Sequence, residues 1–320
     1  MVKRILISFS GGKTSAYMTW CLLRKYKAVW EENLKIFIGS ENGIRVEIII
    51  VFANTSKEKE KSLEFVRDCD RYFGFNTIWV EAVVHEEIGK GTTHIITDFE
   101  NAKRSGEVFE PVIKKYGIPN VKNPHCTREL KARPIRSLAR SYNWKPSKSE
   151  TAIGYRIDEP DRWSSEKQRK EQKEKKYIYY FVDEKPTTKE QVNGWWSFQK
   201  FNLELKEHEG NCNKCYKKNI NKLIVIEGEE RAGGYKDDWW ERMENNYGYI
   251  IPERKKKNTK IKLPITFYRG RVSAREIREK AEIYFKDAKT DIEMEVHKAA
   301  LLNGYNDKKK SKCDESCEPF

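Results

Sequence analysis

Three groups of residues in this chain have types and spacings that could do chemistry. The first is the run from Ser8 and Phe9 through Ser10-Gly11-Gly12-Lys13-Thr14-Ser15. Two glycines allow a tight turn, and hydroxyls and an ammonium flank a row of backbone N–H groups, a composition that grips phosphate. The second is Gly154-Tyr155-Arg156-Ile157-Asp158-Glu159-Pro160-Asp161-Arg162. Here Arg156 could contact phosphates, while Asp158 or Glu159 could fix that guanidinium or hold Mg²⁺. The third is a set of thiols. Cys126 is followed by Arg128 and Lys131, one helical turn apart and able to hold a phosphate or sulfate, and such cations also favour a nearby thiolate. Cys212 and Cys215 form a Cys-x-x-Cys knuckle that could give two thiolates to one metal, and Cys313 and Cys317 stand near the end of the sequence.

Strands and helices must place these groups. Residues 4 to 9 and 46 to 52 are short apolar runs of the kind buried in a parallel sheet, and 77 to 84 and 151 to 155 read as further strands. Helical periodicity falls at Thr14 to Lys25, Ser62 to Phe73, Lys131 to Tyr142 and Thr188 to Trp196. The alternation predicts an α/β fold, a Rossmann-like, doubly wound, mostly parallel sheet with right-handed crossovers. The phosphate-type loop then sits at the carboxyl end of the first strand, where such sheets bind ligands, and Phe52-Ala53-Asn54-Thr55 sits at the end of the second. The charge run from Lys167 to Lys176 reads as a solvated loop or insertion. Past Cys215 the chain turns helical, aromatic and basic. A boundary near 206 separates a nucleotide-binding α/β domain, 1–205, from a smaller helical, cysteine-containing part, 206–320.

Each motif has a plainer structural reading. Gly12-Lys13-Thr14 matches the tail of a Walker A loop, but that motif needs a glycine at position 7, which is Ile7, so the loop is too short to wrap a β-phosphate. Ser10 to Ser15 could be a simple capped turn, Asn54 and Thr55 a helix cap, and residues 154 to 162 a surface ion-pair cluster. Trp195-Trp196 and Trp239-Trp240 could stack exposed bases, although paired tryptophans more often pack in cores. Cys21 and Cys69 lie in helical patterns and read as small core residues.

Bulk composition narrows the classes. The chain has 320 residues, 12% aromatic content and 9 Trp, enough for a large packed core despite a charged fraction of 35%. A net charge of +14 suits a polyanion such as nucleic acid, a nucleotide or a sulfate substrate, or merely solvates the surface. No stretch approaches the ~20 apolar residues of a membrane span. No signal-peptide pattern precedes the first strand, so a cytoplasmic protein without structural disulfides is expected. Five histidines without a His-Glu-x-x-His spacing argue against a zinc hydrolase.

The ordered set of motifs resembles the PP-loop ATP pyrophosphatases (the adenine nucleotide α-hydrolase group), in the branch of the phosphoadenosine phosphosulfate (PAPS) reductase-like proteins, many of them phage-encoded. The likeness is carried by Ser-Gly-Gly followed by Ser15, Phe52-Ala53-Asn54-Thr55, Cys126 to Pro134, Gly154 to Arg162 and Gly210-Asn211-Cys212-x-x-Cys215. It implies ATP, PAPS or another adenylyl nucleotide as ligand, Mg²⁺ bridging the phosphates, and often a homodimer. It places residues 52 to 55 around the adenosine, Gly154 and Arg156 at the phosphates, and Lys13, Arg156, Asp158 and Cys126 in catalysis. Sulfur-transferring relatives bind a [4Fe–4S] cluster, for which Cys126, Cys212 and Cys215 supply three thiolates and Cys313 or Cys317 a fourth ligand or a mobile redox pair. Three activities are then expected as alternatives: ATP-dependent adenylation and thiolation of a nucleic-acid base with an external sulfur donor, thioredoxin-dependent reduction of PAPS, or nucleotide sensing without catalysis in defence or counter-defence. Departures stand beside the likeness. His125-Cys126 replaces the Cys-Cys pair of adenylyl sulfate reductases, and Lys312-Cys313-Asp314-Glu315-Ser316-Cys317 replaces the Glu-Cys-Gly-x-His tail of PAPS reductases.

Overall fold

Apolar runs alternate their side chains between two buried faces, and this builds the centre of the molecule. In the computed structural model, which describes residues 2–87, 89–253, 261–288 and 290–303, the strands form one eight-stranded sheet. In chain order these are β1 (Val2–Ser8), β2 (Val29–Glu31), β3 (Ile36–Glu41), β4 (Ile44–Asn54), β5 (Ile78–Val83), β6 (Thr93–Thr97), β7 (Glu150–Ala152) and β8 (Tyr177–Ile178). The helices are α1 (Lys13–Lys25), α2 (Glu60–Phe73), α3 (Glu110–Tyr116), α4 (Arg133–Ser141), α5 (Glu166–Lys175) and α6 (Tyr180–Asp183). They continue with α7 (Lys189–Ser197), α8 (Ile220–Ala232), α9 (Trp239–Tyr247), α10 (Ala274–Tyr284) and α11 (Asp291–Asn303).

Parallel pairing runs β5–β4–β1–β7–β8. On one face Ile5, Ile7, Ile48, Ile50 and Phe52 meet Met18 and Leu22 of α1, Val66 of α2 and Trp196 of α7. On the other, Leu6, Ile49, Val51 and Val80 meet Ile135 and Leu138 of α4. Full burial of each such side chain contributes about 1.5–3 kcal/mol. The sheet is therefore covered on both faces, as its unbroken apolar strands demand. Chain order moves outward from β1 through β4 to β5 on one side and appears again as β7 and β8 on the other. The reversal at β1 opens a crevice at the carboxyl ends of β1 and β7.

Two antiparallel additions were not foreseen from the sequence. The hairpin β2–β3 pairs with the first half of β4, and β6 pairs with β5. Glu41 lies opposite Ile44 across Asn42 (φ 50°) and Gly43 (φ 78°), a two-residue turn in which both central residues are left-handed. The charged run, read as a loop, is instead α5. Ser165 accepts the Gln168 N–H in a capping box, Lys170–Glu174 and Lys175–Glu171 pair at i, i+4, and no residue is buried. It is solvated, as expected, but helical.

A further apolar cluster joins Phe109 and Val112 of the α3 region and Leu130 to Tyr216, α8, α9, Phe267 and α10. It draws on residues from both sides of 206. Trp239 and Trp240 are 3% and 2% exposed within it, and Trp196 is 1% exposed in the first cluster, so these indoles pack. Cys21 and Cys69 are buried core residues.

Candidate functional site

The loop after β1 is a turn held from within and behind. Gly11 is left-handed (φ 78°), and a Cβ there would lie 3.1 Å from the Phe52 ring and 3.2 Å from Val66. Only glycine satisfies both conditions. The Ser10 and Ser15 hydroxyls are 2.8 Å apart, Ser10 N–H donates to Ser15 Oγ, and Ser15 Oγ donates to the Gly12 carbonyl. α1 then begins with Gly12 as its cap, without a side-chain cap and without an acidic residue in its first turn. Its first N–H groups lack intrahelical acceptors, so the positive end of the helix opens toward an anion.

The strand β7 delivers the second group to the same place. A Cβ on Gly154 would lie 3.0 Å from Ser15 Cα, so the loop leaving β7 lies directly against the first turn of α1. Arg156, 7% exposed, donates from a terminal nitrogen to Thr14 Oγ1 at 3.1 Å. Asp158 accepts from Arg156 Nε at 3.0 Å with one oxygen and from the Lys189 N–H at 3.0 Å with the other. Glu159 accepts from the Arg156 N–H and from Arg162. These carboxylates are committed to fixing Arg156. Of the two roles open to them, Arg-fixing fits the geometry and a protein-held Mg²⁺ does not.

Ser10, Gly12, Lys13, Thr14, Ser15 and Arg156 line a cleft of about 420 Å³. Its remaining walls come from Gly210 and Asn211 of the Gly-Asn-Cys element and from residues that motif reading missed: Lys189, Val192 and Asn193 of α7, then Leu203, Leu205, Lys206, Glu207 and Glu209. Trp196 Nε1 donates to the Lys13 carbonyl at 2.9 Å, and Asn211 Nδ2 donates to the Ser10 carbonyl at 2.7 Å, so both flanks are tied to the loop. Asn211 belonged to the Gly-Asn-Cys element, which was the available signal. The Lys13 ammonium has no hydrogen-bond or ion-pair partner among the described residues. Burial, and then the neighbouring Lys189 charge, pull its pKa below the usual lysine value. A phosphate entering the cleft would supply the missing counter-charge.

The three thiols meet elsewhere. Cys126, Cys212 and Cys215 line one small cavity, about 20 Å³, with Lys131, Leu130, Phe109, Tyr216 and Trp240. Cys126 opens a helix whose next turn, Thr127–Ala132, is π-helical before α4 continues. Such turns re-aim side chains and recur at functional sites. Lys131 faces the cavity, with the Glu58 carboxylate 3.7 Å away. Arg128 does not join it; its guanidinium pairs with Glu129 at 2.8 Å, so the two cations are not directed to one anion. Glu129 also has the Arg133 guanidinium 3.4 Å away. The knuckle is held by main-chain bonds, Lys59 N–H to the Asn211 carbonyl and Asn213 N–H to the Lys57 carbonyl, both 2.8 Å. All three are free thiols. As placed, no group of three or more His, Cys, Asp or Glu side chains among the described residues is arranged to hold a metal ion. Cys313 and Cys317 lie outside the described residues.

Other predicted site residues stand behind the cleft. Ser8, Phe9, Phe52, Ala53 and Asn54 are buried and do not line it. Asn54 is spent on structure: its amide donates to Glu81 at 2.7 Å and to the Lys103 carbonyl at 2.8 Å, and its oxygen accepts from Ser56 N–H. Thr55 is held by Glu58 and faces the thiol cavity instead. Among the described residues no helix is long and apolar enough to cross a membrane.

Comparison with known proteins adds one relative. The chain is similar to the uncharacterized nin region protein ORF290 of Escherichia phage lambda, 28% identical over 229 residues, which is 70% of each chain. No family model matches the sequence, and no solved structure matches it. The likeness to a phage protein accords with the phage-encoded character of the resemblance drawn from the motifs.

Proposed function

We propose that the cleft over Ser10–Ser15 binds ATP or another adenylyl nucleotide, and that the protein is a PP-loop enzyme of the PAPS reductase-like type. The observation that carries this reading is the Lys13 ammonium, unpartnered among the described residues and facing the same cleft as Arg156 and the amino end of α1. A preorganised cation stabilises an anion most strongly where the anion's charge grows in the transition state.

The reaction proposed is adenylation followed by sulfur transfer to a nucleic-acid base. A carbonyl oxygen of the base attacks the α-phosphorus, the bond to the β-phosphate breaks, and pyrophosphate leaves. Sulfur from a donor then displaces AMP, which departs with the base's oxygen. Thr14, Ser15 and the loop N–H groups hold pyrophosphate, and Lys13 and Arg156 neutralise charge developing across the α–β bridge. Asp158 and Glu159 keep the Arg156 guanidinium aimed. Mg²⁺ arrives as the counter-ion of the phosphates. Were an iron–sulfur cluster bound, Cys126, Cys212 and Cys215 would be the residues to hold it, and it would supply sulfur-carrying chemistry. Basic net charge suits a nucleic-acid partner.

Incubation with ATP or with PAPS, and assay of pyrophosphate, AMP and sulfite, tests this reading. Pyrophosphate and AMP released with a nucleic-acid acceptor are expected. Sulfite from PAPS would make the protein a sulfonucleotide reductase. Nucleotide binding with no product would make it a sensor.

A further inference from the structure

The cleft is too large, and too mixed in character, for pyrophosphate alone. One part of its lining is charged, with Lys13, Arg156, Lys189 and Lys206 beside the carboxylates Glu207 and Glu209, and another is apolar, with Val192, Leu203 and Leu205. Val192 and Leu203 are buried in the core and Leu205 packs on it, so this wall is backed by fixed neighbours. Val192 follows Lys189 by one helical turn on α7, and α7 is tied to the loop through Trp196 and the Lys13 carbonyl. The apolar wall therefore stands at a fixed position relative to the phosphate grip. Asn193 lies beside it with an exposed amide able to donate and accept. A volume of about 420 Å³ is in the range of pockets that take a whole small ligand rather than its charged tail. Behind the loop, Asn54 has both ends of its amide in structural bonds and Phe52 and Ala53 are buried, which leaves no room there for a base.

We infer that the nucleobase of the bound nucleotide lies against Val192, Leu203 and Leu205, with its polar edge toward Asn193, while the phosphates occupy the Lys13–Arg156 side. The inference rests on the nucleotide reading above and assigns the base to a wall built from α7 and the segment after it. Its consequence is a division of labour: Lys13 serves every polyphosphate, and Leu205 serves only those that carry a base.

Titration calorimetry with ATP and with inorganic tripolyphosphate separates the two. Wild-type protein should bind ATP at least ~10-fold more tightly than tripolyphosphate, as one good apolar contact can supply. Leu205→Gln adds no charge and alters a half-buried position. It should weaken ATP ~10-fold and leave tripolyphosphate within ~2-fold, which also shows that the variant is folded. Lys13→Ala should weaken both. ATP binding that needs Lys13 but is unchanged in Leu205→Gln would overturn this base site and leave the nucleotide reading standing. Failure of wild-type protein to bind either compound would overturn both.

Discussion

The phosphate cleft and the thiol cavity lie on either side of one stretch, Gly210 to Cys212, yet they are built on opposite principles. The cleft is open, half polar, and shaped by backbone: a left-handed Gly11, a Gly154 with no space for a side chain, and an uncapped helix start. Its central cation, Lys13, has no partner among the described residues. The cavity is small and walled by Phe109, Leu130 and Trp240, and the cation that lines it, Lys131, has the Glu58 carboxylate 3.7 Å away. In the surrounding scaffold, Lys57 pairs with Asp237 at 2.8 Å, and Lys214 with Glu227 and Glu230 at 2.6 and 2.9 Å, all nearly buried. Charge left unmatched marks a place for a ligand. Charge matched inside the protein marks a scaffold, because removing one partner of a buried pair is costly.

The largest effects should come from breaking this contrast at its charged centre. Lys13→Ala removes a cation that supports no structure, so turnover should fall at least ~100-fold with the melting temperature unchanged. Arg156→Ala should lose as much turnover and in addition about 2 kcal/mol of stability, since Asp158 and Thr14 lose a charged hydrogen-bond partner. Kinetics and thermal melts on the two variants check both. If Lys13→Ala unfolds as readily as Arg156→Ala, the ammonium is structural and the contrast fails.

A smaller effect tests whether the two regions are separable. Protein purified anaerobically with iron should show a broad absorbance at about 400 nm that disappears in Cys126→Ser and in Cys212→Ser. ATP affinity, measured on the same samples, should stay within ~3-fold of wild type. A colourless wild-type protein that still turns over would remove the cluster. Loss of ATP binding in both cysteine variants would show that the cavity shapes the cleft through Asn211.

These regions also differ in how much of them a sequence can show. The loop and Arg156 were legible because their chemistry is contiguous: Ser10 to Ser15 closes a turn on itself, and Arg156 finds Asp158 two residues away. The parallel centre was legible because β1 and β4 are apolar without interruption. The cleft's far wall was not, since Val192, Leu203 and Leu205 look like any core residues until α7 folds back on the loop. The thiol cavity was half legible. Its cysteines could be listed, but Cys126 and Tyr216 are 90 positions apart and meet only through packing of the helical part. Two local signals were present and missed. Asn42-Gly43 between apolar runs announces a hairpin, and Ser165-x-x-Gln168 before alternating Lys and Glu announces α5.

The subtlest difference is the direction in which proton binding moves. Lys13 is held below its ordinary value of 10.5 by burial and by Lys189. Burial also pulls Lys214 down, but Glu230 and Glu227 more than reverse this and raise it. In the window between the lowered Lys13 pKa and 10.5, the unfolded chain binds more protons at Lys13 than the folded one, so this site alone makes stability rise with pH. Lys214 acts oppositely: its contribution is full below 10.5 and is lost as pH rises through its raised folded value. Nucleotide binding reverses the sign at Lys13, because the phosphates need the ammonium. ATP affinity should therefore weaken as pH climbs from neutrality toward 10.5, starting below the ordinary lysine value, and Lys13→Ala should flatten that part of the profile. Parallel profiles for wild type and Lys13→Ala would mean that the ammonium never meets the phosphates, and the cleft would lose the one charge that distinguishes it from the scaffold beside it.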